Sequence, residues 1–391
     1  MERPILDKLI ELIKIDSYAY KKEGILAAQQ FVKDYLSQAP ISWKTYESTK
    51  DDLAPILLGR SRNWNNSKPT ITLCGHLDIV YPNIDNMEVK IISNKLYGPG
   101  AADMKAGVLV ILETVKKLVE LNLFTNVQIL LTSEEEQYQT RFYPIFRDIA
   151  ISTDYLFVYE GAGSLDKEPD YKKKGLVIKR KGILGYRLSA KAKGGHSGGL
   201  AKREERHSAV HELIYQSKQI LNFADFDKGT TLNIGKFNGG KALNILAENA
   251  EIEFDARLNY LEEFERVKKR LDKIKPNDLE VRLNLDLLLE GPPVIDSAGN
   301  KSLFEIAQQA GNRAGVEVFE ESKSGASDMN RLVGFNPQMA SIDYLGPSGG
   351  GEHTSLEFLY LDSFEPSVKL SIELLSMLIN KLTLAQDTGI Y

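Results

Sequence analysis

Several short stretches of the chain carry side chains suited to metal and acid–base chemistry. Gly-His-Leu-Asp places His76 and Asp78 two residues apart, so on extended backbone both leave the same face. A histidine that ligates a metal needs a carboxylate or carbonyl to fix its tautomer, and Asp78 is placed either for that role or to ligate directly. Asp103, in GPGAADMKAG, follows a Gly-rich turn and immediately precedes a predicted helix, so its carboxylate can project from a sharp bend. Glu134, Glu135 and Glu136 end one apolar run and Glu160 ends another, while His353 sits in the Gly-rich stretch GGGEHT. Histidines and carboxylates without cysteine form a nitrogen and oxygen donor set. That set suits zinc, with cobalt or manganese as substitutes, and not a sulfur-rich structural site. Two divalent cations would balance three ligating carboxylates and one bridging hydroxide. At a separation of roughly 3.5–4 Å they would activate a shared water and polarise a carbonyl, and a nearby glutamate would carry the proton.

These residues need elements that bring them together. Apolar residues recurring every three or four positions predict helices over 4–15 and 25–37. TITLCG, NVQILLTS (126–133) and DYLFVY (154–159) read as strands, with a helix over 106–121 between the first two. Strands alternating with helices predict a mostly parallel α/β sheet, in which ligands gather at the carboxyl ends of the strands. His76, Asp78, Glu134 to Glu136 and Glu160 all fall at such ends.

From about residue 182 the order becomes β-α-β-β-α-β, that of a ferredoxin-like domain, and GPP at 291–293 marks its end. A helix over 301–314, strands over 316–320 and 338–344 and a final helix near 364–382 resume the α/β pattern. The expected organisation is a catalytic domain of residues 1–181 and 295–391 interrupted by a smaller domain, 182–294.

With 391 residues, 42% of them apolar and 26% charged, the chain has the composition of a folded protein with ample core. Its net charge of −5, without a long basic run, makes phosphate backbones poor partners. No stretch reaches the roughly 20 apolar residues of a membrane helix. The single Cys74 excludes an intramolecular disulfide framework and reads as a small core residue. MERPILDKLIELIKIDS lacks the basic start and apolar block of a signal peptide, so the expected compartment is the cytoplasm. GPGAAD lacks the spacing of a nucleotide loop. His207 and His211, in a charge-rich stretch without the glutamate of HExxH, read as surface residues, and the Lys-rich run YKKKGLVIKRK as a solvated hairpin.

Taken in order, GHLDIVYP, GPGAADMKAG, TSEEE, YEGAG, KGGHSGG, GGKALNILAENAEIEFDAR, SGASD and GPSGGGEHTSLEF resemble the di-zinc aminoacylase and carboxypeptidase family. That family includes glutamate carboxypeptidase, acetylornithine deacetylase and succinyl-diaminopimelate desuccinylase. The resemblance runs nearly end to end. It implies that Asp103 bridges two metals, with His76 and Glu160 completing one site and Glu136 and His353 the other. It makes Glu135 the general base, by matching TSEEE to the family's TSDEE, and gives Asp78 the task of orienting His76. It also implies a cis peptide bond after Asp103. In the inserted domain it makes His196 an oxyanion donor reaching across a homodimer, and Asn244 and Arg257, thirteen residues apart, the substrate-anchoring pair. A fixed guanidinium fork suits a carboxylate. The inserted domain would serve as lid and dimerisation surface, its closure excluding water.

The sequence departs from the family at Pro99, where many members have Arg, and at Ala106, where many have Gly. Pro292 stands near a position where glutamate-releasing relatives carry Arg, which weakens any expectation of a C-terminal glutamate. The expected activity is hydrolysis of an amide bond in a small peptide or N-acyl amino acid, in the manner of a carboxypeptidase. The alternatives are an N-acyl amino acid deacylase and, in another class, a catalytically silent scaffold of the same fold.

Overall fold

The computed structural model describes residues 1–47, 54–82, 87–137, 142–163, 170–199 and 202–387. Two amphipathic helices open the chain, α1 (Arg3–Ile13) and α2 (Lys22–Tyr35), with Leu9, Leu12, Ile25, Ala28 and Val32 buried. Strands β1 (Ile41–Tyr46), β2 (Ile56–Ser61) and β3 (Ile71–His76) follow, then the short β4 (Lys90–Ile92) and β5 (Lys95–Tyr97). Helix α3 (Lys105–Glu120) leads to β6 (Val127–Thr132), α4 (Tyr143–Ile151), β7 (Tyr155–Val158), β8 (Ala162–Gly163) and β9 (Lys173–Arg180).

The next stretch holds β10 (Gly182–Lys191), β11 (Gly195–His196), α5 (Ala209–Leu221), β12 (Thr231–Gly239), β13 (Ile245–Leu246), β14 (Asn249–Leu258), α6 (Leu261–Leu271) and β15 (Arg282–Gly291). The chain ends with α7 (Ala298–Ala314), β16 (Glu317–Lys323), α8 (Asp328–Phe335), β17 (Ala340–Ile342), β18 (Ser348–Gly350), β19 (Phe358–Tyr360) and α9 (Phe364–Asp387). It divides into two compact units, residues 1–179, 296–322 and 327–391 in the first, and 180–295 with 323–326 in the second.

The first unit is α/β. Its central sheet has the order β1-β2-β6-β3-β7-β17. β6, β3, β7 and β17 run parallel, while β1 and β2 add an antiparallel edge that the helix–strand alternation did not foretell. Period-two alternation along β3 gives each face its own neighbours. Leu73 and Gly75 look toward α3, where the nearest atoms to Gly75 belong to Met104, Val108 and Ile111. Thr72 and Cys74 look the other way, Thr72 onto Thr153 and Cys74 onto Asp328 of α8. The strand is buried throughout, as expected where helices cover both faces of a parallel sheet.

A second sheet, β4-β5-β19-β18-β8, does the local positioning. β5 pairs with β19 through Tyr97 and Phe358, and β18 pairs with β8 through Ser348 and Ala162. The turn after β5 and the turn between β18 and β19 are thereby held side by side. Gly349 permits this closeness, since a Cβ there would lie 2.5 Å from the Cβ of Ala102.

The Lys-rich run is not a solvated hairpin. β9 pairs with β16, and Leu176, Val177 and Ile178 are fully buried. Buried Lys174 survives there by donating from Nζ to Gly346 O and Ser367 Oγ. Flanking lysines disguise a core strand whose middle is wholly apolar. Cys74 is a buried core residue.

In the second unit β10, α5, β12, β14, α6 and β15 follow in that order, with the short paired strands β11 and β13 between them, and the antiparallel sheet has the order β12-β14-β10-β15. Alternate residues of β10 and β14 (Leu184, Tyr186, Leu188, Ile252, Phe254) form its core with Leu213 of α5 and Phe264 and Val267 of α6. No helix among the described residues is long and apolar enough to cross a membrane.

Helix α3 lies so close to the end of β7 that a Cβ at Gly107 would sit 1.9 Å from Tyr159 O. Alanine gains about 1 kcal/mol of helix propensity over glycine. Overpacking against a backbone that cannot retreat costs about 1–3 kcal/mol or more, and this contact is far inside any tolerable distance. Gly107→Ala is therefore expected to lower stability in urea unfolding by roughly 2 kcal/mol. An unchanged or higher midpoint would refute the close-approach account.

Candidate metal centre

Parallel register explains why the candidate ligands meet. His76 is level with Thr132 on β6, and Cys74 with Val158 on β7, so the residues just beyond these positions emerge at one lip of the sheet. Asp78, Glu135, Glu136 and Glu160 occupy that lip. The five-stranded sheet adds Asp103, from the turn after β5, and His353, from the turn between β18 and β19.

Asp103 lies between two imidazoles. Its Oδ1 is 2.9 Å from His76 Nε2 and its Oδ2 is 3.4 Å from His353 Nε2. His76 Nε2 is also 3.9 Å from Glu160 Oε2, and His353 Nε2 is 3.1 Å from Glu136 Oε2. One atom each from His76, Asp103 and Glu136 fall within 4.8 Å of one another. Donors on a tetrahedral ion with bonds near 2.0–2.1 Å stand about 3.3 Å apart. The observed spacings bracket that value, and the donors divide into two sets that share Asp103. This arrangement fits two divalent cations.

The protonation balance has the same origin. Burial pushes the Asp103 carboxyl up, but hydrogen bonds with His353 and His76 outweigh it and hold the group well below the usual carboxylate range. Burial disfavours a charged His76, yet Asp103 and Asp78 carry it well above an ordinary imidazole. Hydrogen bonds to Asp103 and then Glu136 raise His353 to about 11. Burial raises Glu160 and Glu135, and neighbouring carboxylates add to it. His353 has a φ of 61°, in the left-handed region, a conformation that costs a non-glycine residue of order 1–3 kcal/mol. The Asp103–Met104 peptide bond is cis.

The His76 ring is fixed from behind by the backbone carbonyl of Asp78, 3.0 Å from Nδ1, with the Asp78 carboxylate at 3.5 Å. That carboxylate chiefly receives the backbone N–H groups of Glu135 (3.2 Å) and Glu136 (2.9 Å) and so holds the glutamate turn in place. The three glutamates then diverge. Glu134 turns inward to Arg331 Nη1 at 2.6 Å, Glu136 reaches His353, and Glu135 remains buried between them.

A second layer, not singled out from the sequence, supports the lip. Arg331 of α8 joins Glu134 to Asp328, its other nitrogen 2.6 Å from Asp328 Oδ1, and stacks over Phe146. Asp328 Oδ2 accepts from Thr132 Oγ1, directly beside His76 in the sheet. Asp343 accepts from Ser327 Oγ and from the backbone N–H of Tyr344. Of this layer Thr132 and Glu134 belong to TSEEE and Ser327 and Asp328 to SGASD; Arg331 looks like an ordinary helix-surface residue until its partners are in view.

A model of peptidase family M20/M25/M40 matches residues 72–377. The chain belongs to that family. Carboxypeptidase G2 from Pseudomonas sp. (strain RS-16) is 24% identical over 372 residues, covering 90% of this chain and 84% of the relative. Succinyl-diaminopimelate desuccinylase from Rickettsia bellii (strain OSU 85-389) is 24% identical over 300 residues, covering 70% of this chain and 73% of the relative. Among solved structures, the M20 family metallo-carboxypeptidase Sso-CP2 from Sulfolobus solfataricus superposes with a TM-score of 0.71 at 19% identity, covering 97% of this chain and 100% of that one. A dinuclear metal binding peptidase of the M20 family from Bacillus subtilis gives 0.64 at 13% identity, covering 97% of this chain and 99% of that one. This M20 chain is a metal-dependent hydrolase.

Three candidate residues stand in the second unit. His196 lies on β11 with Asn244 Nδ2 3.5 Å from its Nε2, and Ser197 N donates to Asn244 O. Arg257, on β14, donates from Nε to Asp255 at 3.0 Å, so its guanidinium is part of an ion pair within the strand. His207 is tied to Asp278, 2.9 Å from Nδ1, and is mostly buried, not a free surface residue.

The Arg331 layer yields a prediction. Arg331→Leu leaves Glu134 and Asp328 buried without their cation, an error costing about 3–5 kcal/mol. Denaturant unfolding of the metal-free protein is expected to show a loss of that order. A loss under 1 kcal/mol would mean that the buried pair contributes no net support.

Proposed function

We propose that the protein hydrolyses the amide bond of a small peptide or N-acyl amino acid with a free carboxylate, as a carboxypeptidase does. The observation that carries this reading is the sharing of Asp103 between two donor sets with Glu135 buried beside them. His76, Asp103 and Glu160 would hold one cation, and Asp103, Glu136 and His353 the other. The nitrogen and oxygen donors favour zinc, with cobalt or manganese as substitutes. Cations bound there polarise a carbonyl and ease the deprotonation of water.

The residues supply the rest. Glu135 takes the proton of the attacking water, oxygen bonds to the carbonyl carbon, and the C–N bond breaks as Glu135 returns that proton to the leaving amine. A carboxyl kept out of solvent is suited to accepting and releasing a proton near neutrality. His196, reaching across a homodimer, donates a hydrogen bond to the oxyanion, and Asn244 and Arg257 hold the substrate carboxylate. The second unit acts as lid and dimerisation surface. Support for the dimer comes from Ile214, Tyr215 and Leu221, which α5 exposes, and from β12, which lies at the edge of its sheet. A silent scaffold would have no need for a complete donor set and a buried carboxyl beside it.

Chelation is expected to abolish turnover, and zinc, cobalt or manganese to restore it. Glu135→Gln is expected to lower kcat by about 10²–10⁴-fold while metal content stays at the wild-type value. Near-normal kcat would remove Glu135 from the role of base. The desuccinylase relatives make deacylation the second reading. Turnover of dipeptides against N-acetyl and N-succinyl amino acids separates the two, and a strong preference for the acylated compounds would replace the peptidase assignment.

A further inference from the structure

Five segments bear the candidate ligands, and a carboxylate outside the donor set ties three of them together. Glu357 is buried, four residues beyond His353. Its Oε1 accepts the backbone N–H groups of Ala102 (2.8 Å) and Asp103 (2.9 Å). Its Oε2 accepts the N–H of Gly100 (2.9 Å) and the hydroxyl of Tyr81 (2.8 Å). Gly100 has a φ of +75°, in the left-handed region open to glycine, within the run of amides that converges on the carboxylate. Glu357 also fastens its own backbone to both turns, accepting from Gly98 N and donating to Thr354 O. Tyr81 comes from the segment that follows His76 and Asp78, and its hydroxyl reaches Thr354 O as well at 2.7 Å.

We propose that Glu357 is a positioning residue for the metal centre, a clamp that holds the Asp103 and His353 turns, and through Tyr81 the His76 segment, in the spacing two cations require. The proposal rests on the reading of Asp103, His76 and His353 as ligands. A loop cap of purely structural purpose would use any acceptor. Here both carboxylate oxygens are engaged, and every partner is a donor. Glutamine keeps the shape but puts an N–H₂ against a second donor, and the turn must shift to relieve the conflict. Since Asp103 is itself one of the donors, the shift is passed directly to the side chain shared by both donor sets.

The test uses the metal alone. Wild type, Glu357→Gln and Tyr81→Phe are stripped, checked for fold by circular dichroism, and titrated with Zn²⁺ by calorimetry and with Co²⁺ by visible absorption. Glu357→Gln is expected to weaken metal binding by about 10–100-fold and to change the cobalt spectrum, the size of effect seen when groups behind a ligand are removed. Tyr81→Phe is expected to weaken binding several-fold. A folded Glu357→Gln with wild-type affinity and cobalt spectrum overturns the proposal, whatever happens to its melting temperature. If Glu357→Gln does not fold, Tyr81→Phe decides in the same way. Failure of the wild type to bind two equivalents, or Asp103→Asn binding as tightly as wild type, would overturn the reading of the centre itself and is seen before either variant is compared.

Discussion

Like charges crowded at the dry end of a parallel sheet impose the constraint on which the structure depends. Asp103, Glu135, Glu136 and Glu160 share that lip, and burial together with mutual repulsion drives the three glutamates toward their neutral forms. Only Asp103 is held low, by an imidazole on each side. Such a cluster is costly to assemble unless positive charge enters it, because the interaction of unit charges grows as the effective dielectric falls. Divalent cations held by these donors would supply that charge, and the surroundings keep the donors from relaxing apart.

Three devices hold them. Strand register sets the level of the His76, glutamate and Glu160 segments, because parallel ladders leave little freedom to slip once both faces are buried. Main-chain hydrogen bonds to buried carboxylates then set the turns, Asp78 for Glu135 and Glu136 and Glu357 for Asp103. Finally, the Glu134–Arg331–Asp328 ion pairs fasten the glutamate turn to α8 from beneath. A buried charge triad of this sort adds little net stability over an apolar one, so geometry at the lip is the better account of its presence.

Assignment within Glu134 to Glu136 illustrates how tertiary contacts divide identical neighbours. Nothing in the local chemistry of three consecutive glutamates ranks them. In the fold, one pairs with a guanidinium, one with an imidazole, and the third with neither, so a single residue is left buried near His76 and Glu136.

From the sequence alone, periodicity and chain order determined the parallel α/β core, the β-α-β-β-α-β insert and the placing of polar residues at strand ends. These follow from local patterns that the backbone must obey. Motif order singled out His76, Asp103, Glu136, Glu160 and His353, although they are spread over nearly the whole chain. The antiparallel edge formed by β1 and β2, the buried strand hidden in a lysine-rich run, and the work of Glu357, Asp328, Arg331 and Asp343 were decided only by the tertiary structure. Each of those depends on which group lies opposite, and a charged side chain reads as solvated until a distant partner takes the place of water.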